Sequence, residues 1–462
     1  MPGKFQAGYN GRPPKKKNHT PLIMTSLVVL AVVLFIIIRL AESNPTLQNP
    51  TNPTDETKKH GWFQQEETEP PTEAPTAPTI VSTATITNTG DVLMHMPLVN
   101  SGKTSSGYDF SGMFQYIDSY VEQADYAVAN LETTLAGTDN GYSYSGYPCF
   151  NCPDAIAQNL KDAGFDLLLT VNNHCYDTRT TGLKRTLEVV SGLGLETLGT
   201  QLPDGAKYQV REINGIPVGM LCYSYATKDD YPDRPSMNGI LTGTDAAGMI
   251  NYFDYDNLEA FYTEVEGYLE TMEAAGAKAT VMYIHWGEEY QLQPNGDQRS
   301  IAQRLCDMGI DVIVGGHPHV VQPVSLITST NERNATVCLY SMGNAVSNQR
   351  KGNMNLKTGH TEDGVLFSFT FAEYSDGTVR LDSVDLLPTW VYMGTENNNR
   401  IYRILPLDKE ISDWGSTFNI SQSNVSAAES SWQRTMDLVS EGLAASNEYL
   451  TAQRELALTT IP

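Results

Sequence analysis

Basic residues are scarce in this chain: 30 Lys and Arg stand against 54 Asp and Glu over 462 residues, for a net charge of −24. Several of the cations, Arg12, Lys15, Lys16 and Lys17, crowd the N-terminus, so the remainder is more acidic still. That balance excludes nucleic acid as a partner, because phosphate contacts need clustered Lys and Arg. Cysteine is scarce too, with six copies, and a chain of this length needs no disulfide framework. Cys149-Phe-Asn-Cys152 has no second Cys-x-x-Cys to complete a zinc site, so a local disulfide or two unpaired thiols is expected. Cys222, Cys306 and Cys338 lie in apolar runs and should pack as small core residues. Histidine numbers only eight, and its placement carries most of the information.

The length allows about two or three domains. Residues 1–20 read as a basic cytoplasmic tail. Pro21–Ile38 is an uncharged run of 18 residues, roughly enough for a ~30 Å hydrocarbon core, so residues 21–40 are expected to be a transmembrane signal anchor. A cleaved signal peptide is the competing reading, but the run exceeds the usual ~7–15 residues and no clear Ala-x-Ala site follows. The basic flank orients the span so that everything after it is extracellular: a single-pass protein of the cell membrane. Residues 41–79 are rich in Pro, Thr and Glu and read as a disordered linker. A folded domain is expected over 80–395, with a C-terminal extension containing a helix over 396–462.

Within the folded part, apolar runs alternate with helical periods, which predicts a largely parallel α/β sheet system. Asp311–Val314 is a short β-branched strand stopped by Gly315-Gly316, and it delivers His317 and His319 onto a loop. Other apolar runs hand over Asp91 and His95, Asn130 and Glu132, Asn172-Asn173-His174, and His285-Trp-Gly. Open α/β sheets place their chemistry at such strand ends. A lone histidine is more often a satisfied core residue than a ligand, but polar clusters at five successive strand ends are hard to obtain from packing alone. Helices are expected over Tyr108–Ala124, Asn151–Gly164, Thr181–Leu193, Asn257–Ala275, Ser300–Met308 and Asn424–Glu448. Tyr208–Ile213 and Val218–Tyr223 should form a hairpin turning at Asn214-Gly215. Asp230–Met249 has no clear period and reads as a loop insertion near the active face.

Gly90-Asp91-x-x-x-His95, Asn130-Leu-Glu132, Asn172-Asn-His174, His285-Trp-Gly-x-Glu289-Tyr, Gly316-His-Pro-His-Val-Val-Gln322 and Tyr340-Ser-Met-Gly-Asn344 occur in that order. Their order and spacing resemble the poly-γ-glutamate capsule synthesis CapA family, over roughly residues 84–387. The resemblance implies a four-layer α/β/β/α sandwich like that of the calcineurin-like metallophosphoesterases, built around two divalent metal ions (Mn, Fe or Zn). By motif, Asp91, His95 and His319 would hold the first metal and Asn173, His285 and His317 the second. Glu132 takes the bridging place that phosphoesterases give to aspartate. His174 would protonate a leaving group, with Asp177 either orienting it or capping a helix. Asn130, Asn172, Glu289, Gln322 and Asn344 would face the substrate. The spacing Asp-x-x-x-His and the bridging Glu depart from the phosphoesterase pattern. The implied role is synthesis or export of an anionic capsule polymer, with other capsule-synthase subunits as partners. The alternatives are a non-catalytic scaffold of a polymer-synthase complex or a cell-surface phosphoesterase.

Overall fold

The computed structural model describes residues 77–139, 141–226, 234–353, 356–408 and 413–460. The apolar run Pro21–Ile38 and almost all of the linker lie outside them. Among the described residues no helix is long and apolar enough to cross a membrane. Residues 74–462 form one compact unit, which includes the stretch after residue 396.

The chain opens a first sheet with β1 (Ile80–Val92), β2 (Tyr126–Leu131), β3 (Leu167–Leu169) and β4 (Glu196–Leu198), parallel neighbours in that order. It then builds a second sheet from β5 (Tyr208–Ile213) and β6 (Ile216–Tyr225). The small hairpin β7 (Ser236–Met237) and β8 (Ile240–Leu241) stands apart from both sheets. β9 (Tyr252–Phe253), β10 (Ala279–His285), β11 (Val312–Gly316), β12 (Val324–Thr328) and β13 (Ala335–Leu339) complete the second sheet. The chain returns to the first sheet with β14 (Asn344–Val346), β15 (Asp363–Tyr374), β16 (Val379–Glu396) and β17 (Asn399–Pro406). Both sheets are mixed, because the β15–β17 meander and the β5–β6 and β12–β13 pairs are antiparallel.

The strand period of two decides the layering. Tyr126 and Val128 of β2 point into one apolar cluster with Val281, Tyr283, Val312 and Val314 of the second sheet. Ala127, Ala129 and Leu131 point the other way, onto Ile156 and Leu160 of the helix Ala155–Asp162. Met282 and Ile313 likewise point outward, onto the helices Leu258–Ala274 and Gly296–Asp307. The result is a mixed α/β sandwich: two sheets face to face, with helices on their outer sides. β2 and β3 are buried throughout, as strands covered on both faces must be.

The expected hairpin is present, with Ile213 opposite Ile216 and the turn residues Asn214 and Gly215 at φ 47° and 84°. The expected helix over Tyr108–Ala124 is instead two single turns, Ser111–Phe114 and Asp118–Val121. Phe110, Phe114, Ile117 and Val121 still face one cluster, at the spacing of a single helix face, although the backbone does not run as one helix. The C-terminal helix is longer than expected, Gln422–Thr459, and Val439 and Leu450 pack it into the cluster between the sheets.

Candidate metal centre

The strand ends meet at one edge of the sandwich. Asp91 at the end of β1 lies opposite Asn130 of β2 and Asn344 of β14, while His285 at the end of β10 lies opposite Gly316 of β11. Gly316 leaves little room there: a Cβ would come within 3.1 Å of Asp91 Oδ1 and 3.4 Å of His285 Nδ1, so a larger residue would press on both. His317 and His319 follow with φ of +97° and +56°. Left-handed backbone at a residue other than glycine costs about 1–3 kcal/mol and persists where the surroundings over-determine it.

Two ligand groups result, Asp91–Glu132–His319 and Glu132–His285–His317, each with donor atoms within 4.8 Å of one another. Glu132 belongs to both. Its Oε1 lies 3.5 Å from His285 Nε2 and 3.9 Å from His319 Nε2, and neither carboxylate oxygen has a hydrogen-bond partner. Asn173 Oδ1 stands 3.0 Å from His285 Nε2, on the side assigned to the second metal. Asp91 Oδ2 is 3.1 Å from His319 Nδ1.

His95 lies outside both groups. It is the residue before the helix Met96–Ser101, and its Nδ1 sits 3.3 Å from Leu93 O and 3.4 Å from the Asn348 N–H. Its ring stands edge-on to Phe150 at 5.2 Å.

The electrostatics are those of a cation site. Burial and the charge of Asp91 push the Glu132 carboxyl well above its ordinary range. Burial would also raise Asp91, but the hydrogen bond and charge of His319 hold it low. Burial lowers His285 to about 3 and His95 to about 4, and together with neighbouring imidazoles it lowers His317 far below the usual value. Neutral imidazoles beside a carboxylate with both oxygens free, all oxygen and nitrogen donors, fit divalent cations.

Asn130 and Asn172 are buried and hold the ligands in place. Asn130 Nδ2 donates to Asp91 Oδ1 at 2.7 Å, and Asn172 Nδ2 donates to Asn130 Oδ1 at 3.2 Å. Asn172 Oδ1 in turn accepts the His174 N–H. Gln322 is clamped between Gln298 Nε2 and Gln291 O, and Asn344 Nδ2 donates to His319 O. Of the five residues expected to face substrate, Glu289 is the exposed one.

His174 Nδ1 lies 2.8 Å from Asp177 Oδ2. With Nδ1–H given to that carboxylate, Nε2 is left as the free ring nitrogen. Asp177 makes no cap for the following helix, Arg179–Gly192, which has no side-chain cap bond; its carboxylate faces His174 instead. Phe150 stands edge-on to the His174 ring at 4.6 Å, Tyr225 lies 4.7 Å from the His317 ring, and Asn238 contacts Asp177. Nothing in the sequence singles out these three. Tyr225 ends a strand like the other site residues, and Asn238-Gly239 carries a turn signal, but neither reveals its long-range partner. All six cysteines are unpaired, so no local disulfide joins Cys149 to Cys152.

The family model described as "Bacterial capsule synthesis protein PGA_cap" matches residues 85–349, more than half the chain. The PGA biosynthesis protein CapA of Bacillus subtilis (strain 168) is 25% identical over 347 residues, 72% of this chain and 82% of its own. The capsule biosynthesis protein CapA of Bacillus anthracis is 25% identical over 333 residues, 70% of this chain and 73% of its own. Among solved structures, a Staphylococcus aureus protein assigned as a 5'-nucleotidase, in complex with alpha-ketoglutarate, aligns over 76% of this chain and 58% of its own. Its TM-score is 0.37 and its identity 14%.

Proposed function

The chain belongs to the bacterial capsule synthesis protein family, and from that premise we propose that it acts in the synthesis or export of an anionic capsule polymer of the poly-γ-glutamate type, through a two-cation centre. The observation that carries the reading is Glu132, a fully buried carboxylate without a hydrogen bond, flanked by Asp91 and three imidazoles. Asp91 and His319 would hold one divalent ion; His285, His317 and Asn173 would hold the other; Glu132 would bridge. The ions would be Mn, Fe or Zn, and when bound such a pair polarises a substrate oxygen. His174, its Nδ1 tied to Asp177, presents Nε2 to give or take a proton. The plan resembles that of the calcineurin-like metallophosphoesterases, with Glu132 in the place of their bridging aspartate. The N-terminal run would anchor the protein in the membrane, with the folded unit outside the cell, beside other capsule-synthase subunits.

The test is metal content of the purified full chain by mass spectrometry, together with polymer output in cells. Wild type is expected to carry about two equivalents and His319→Ala fewer while still folded. His317→Ala should abolish polymer production. A metal-free wild type, or normal output from folded His317→Ala, overturns the proposal.

A scaffold reading has one observation in its favour: Asp91, His95, Glu132, His285, His317 and His319 are each at most 8% exposed. It predicts that His174→Ala, which spares those ligands, keeps full polymer output. Turnover of phosphodiesters by the metal-loaded chain would instead favour a cell-surface phosphoesterase.

A further inference from the structure

The β7–β8 hairpin belongs to neither sheet, and an isolated two-stranded hairpin is marginal by itself. Its tip nevertheless reaches the site. Asn238 and Gly239 form the turn, at φ +50° and +67°, the left-handed pair that Asn-Gly adopts readily. The Asn238 carboxamide has two N–H groups and two acceptors: Pro148 O at 2.8 Å and Asp177 Oδ1 at 2.9 Å. The same nitrogen lies 3.3 Å from His174 Nδ1, a packing contact once Nδ1–H is directed at Asp177 Oδ2.

Asp177 thus receives donors from three separate parts of the chain. Oδ2 accepts the Phe150 N–H at 2.6 Å and His174 Nδ1–H at 2.8 Å, and Oδ1 accepts Asn238. Phe150 also walls the His174 ring. The Asp177 side chain is fully buried, so its rotation is set by these bonds. Without Asn238, Oδ1 loses its bond to that carboxamide, and the carboxylate can turn about its bond to Phe150.

We propose that Asn238 is a positioning residue, which fixes the Asp177 carboxylate so that His174 keeps its proton on Nδ1 and presents Nε2 to the centre. The assignment rests on the reading of His174 as the proton-transferring group.

The experiment uses the full chain labelled with 15N-histidine, at one fixed pH, with the His174 signals identified by their loss in His174→Ala. Wild type is expected to show a single tautomer protonated on Nδ1. Asn238→Gly keeps the left-handed turn and removes the carboxamide; it should retain its circular dichroism and metal content yet show exchange-broadened or mixed-tautomer His174 signals. Polymer output should fall about tenfold, the equivalent of one charge-assisted hydrogen bond. Asn238→Asp also suits the turn but sets a second carboxylate against Asp177, so its output should fall below that of Asn238→Gly. Wild-type His174 signals in folded Asn238→Gly overturn the proposal, as does a wild type protonated on Nε2. Normal output from His174→Ala, with the Asn238→Gly shift still seen, would leave the positioning in place and remove the proton-transfer role.

Discussion

A buried carboxylate without a hydrogen bond destabilises a fold unless something else satisfies it, and Glu132 is such a group. Burial and the neighbouring Asp91 raise its pKa in the folded chain. The unfolded chain ionises near the ordinary value of 4.5 while the fold still holds the proton. In metal-free protein, therefore, this residue's contribution is full below that value and declines as pH rises toward the folded pKa, by about 1.4 kcal/mol per pH unit of that window. Glu132→Gln is expected to stabilise the metal-free chain, and by more at pH 7 than at pH 4.5. Denaturant midpoints of both proteins in chelator check it; a gap that is independent of pH counts against the raised pKa. With a divalent cation present the order reverses, since the variant has lost the bridging ligand.

At the scale of elements, the C-terminal helix Gln422–Thr459 closes the side of the sandwich and is fixed by a few contacts. Gly442 lies so close to β12 that a Cβ would meet Val324 O at 1.8 Å. Arg434 donates to both oxygens of Asp363, at 2.8 and 2.6 Å, and Ser431 adds a third bond at 2.6 Å. Asp363 is 1% exposed, so Arg434→Ala leaves a buried carboxylate short of its cation and should cost about 3 kcal/mol. Arg454, 3.1 Å from Asp382 with its side chain 36% exposed, should cost at most about 1 kcal/mol on the same change. Equal losses of thermal stability in the two variants would contradict this ranking.

This helix is legible in the sequence as an amphipathic period, and the strand ends bearing Asp91, Glu132, His285 and His317 are legible as short strand-like runs that stop at polar residues. What is not legible depends on register. Asn130 points its amide at Asp91 only because β1 and β2 pair with those two residues opposite each other. Asn238 reaches Asp177 across 61 residues, with nothing local to announce it. His95 stands aside because a new helix begins at the next residue, Met96.

For the whole molecule, the net charge of −24 sets a condition on the proposed function. An acidic protein repels a polyanion at distances up to the Debye length, about 8–10 Å at moderate salt. Without cations the centre offers a polyanion no attraction: Asp91 is ionised, Glu132 holds its proton, and the His285 and His317 imidazoles are neutral. Two divalent ions over-compensate two carboxylates, so the loaded centre becomes a positive spot on an acidic surface. Contact with an anionic polymer should then depend on the cations twice over: they supply a ligand for its carboxylates, and they reverse the local sign. Poly-γ-glutamate is expected to bind the manganese-loaded chain and to lose most of that binding when chelator is added. Moderate salt should help the chelated form and weaken the loaded one, because screening removes a repulsion in the first case and an attraction in the second. Binding equal in both forms, with one common salt dependence, would mean that the polymer contacts some other surface and that the centre serves a different substrate.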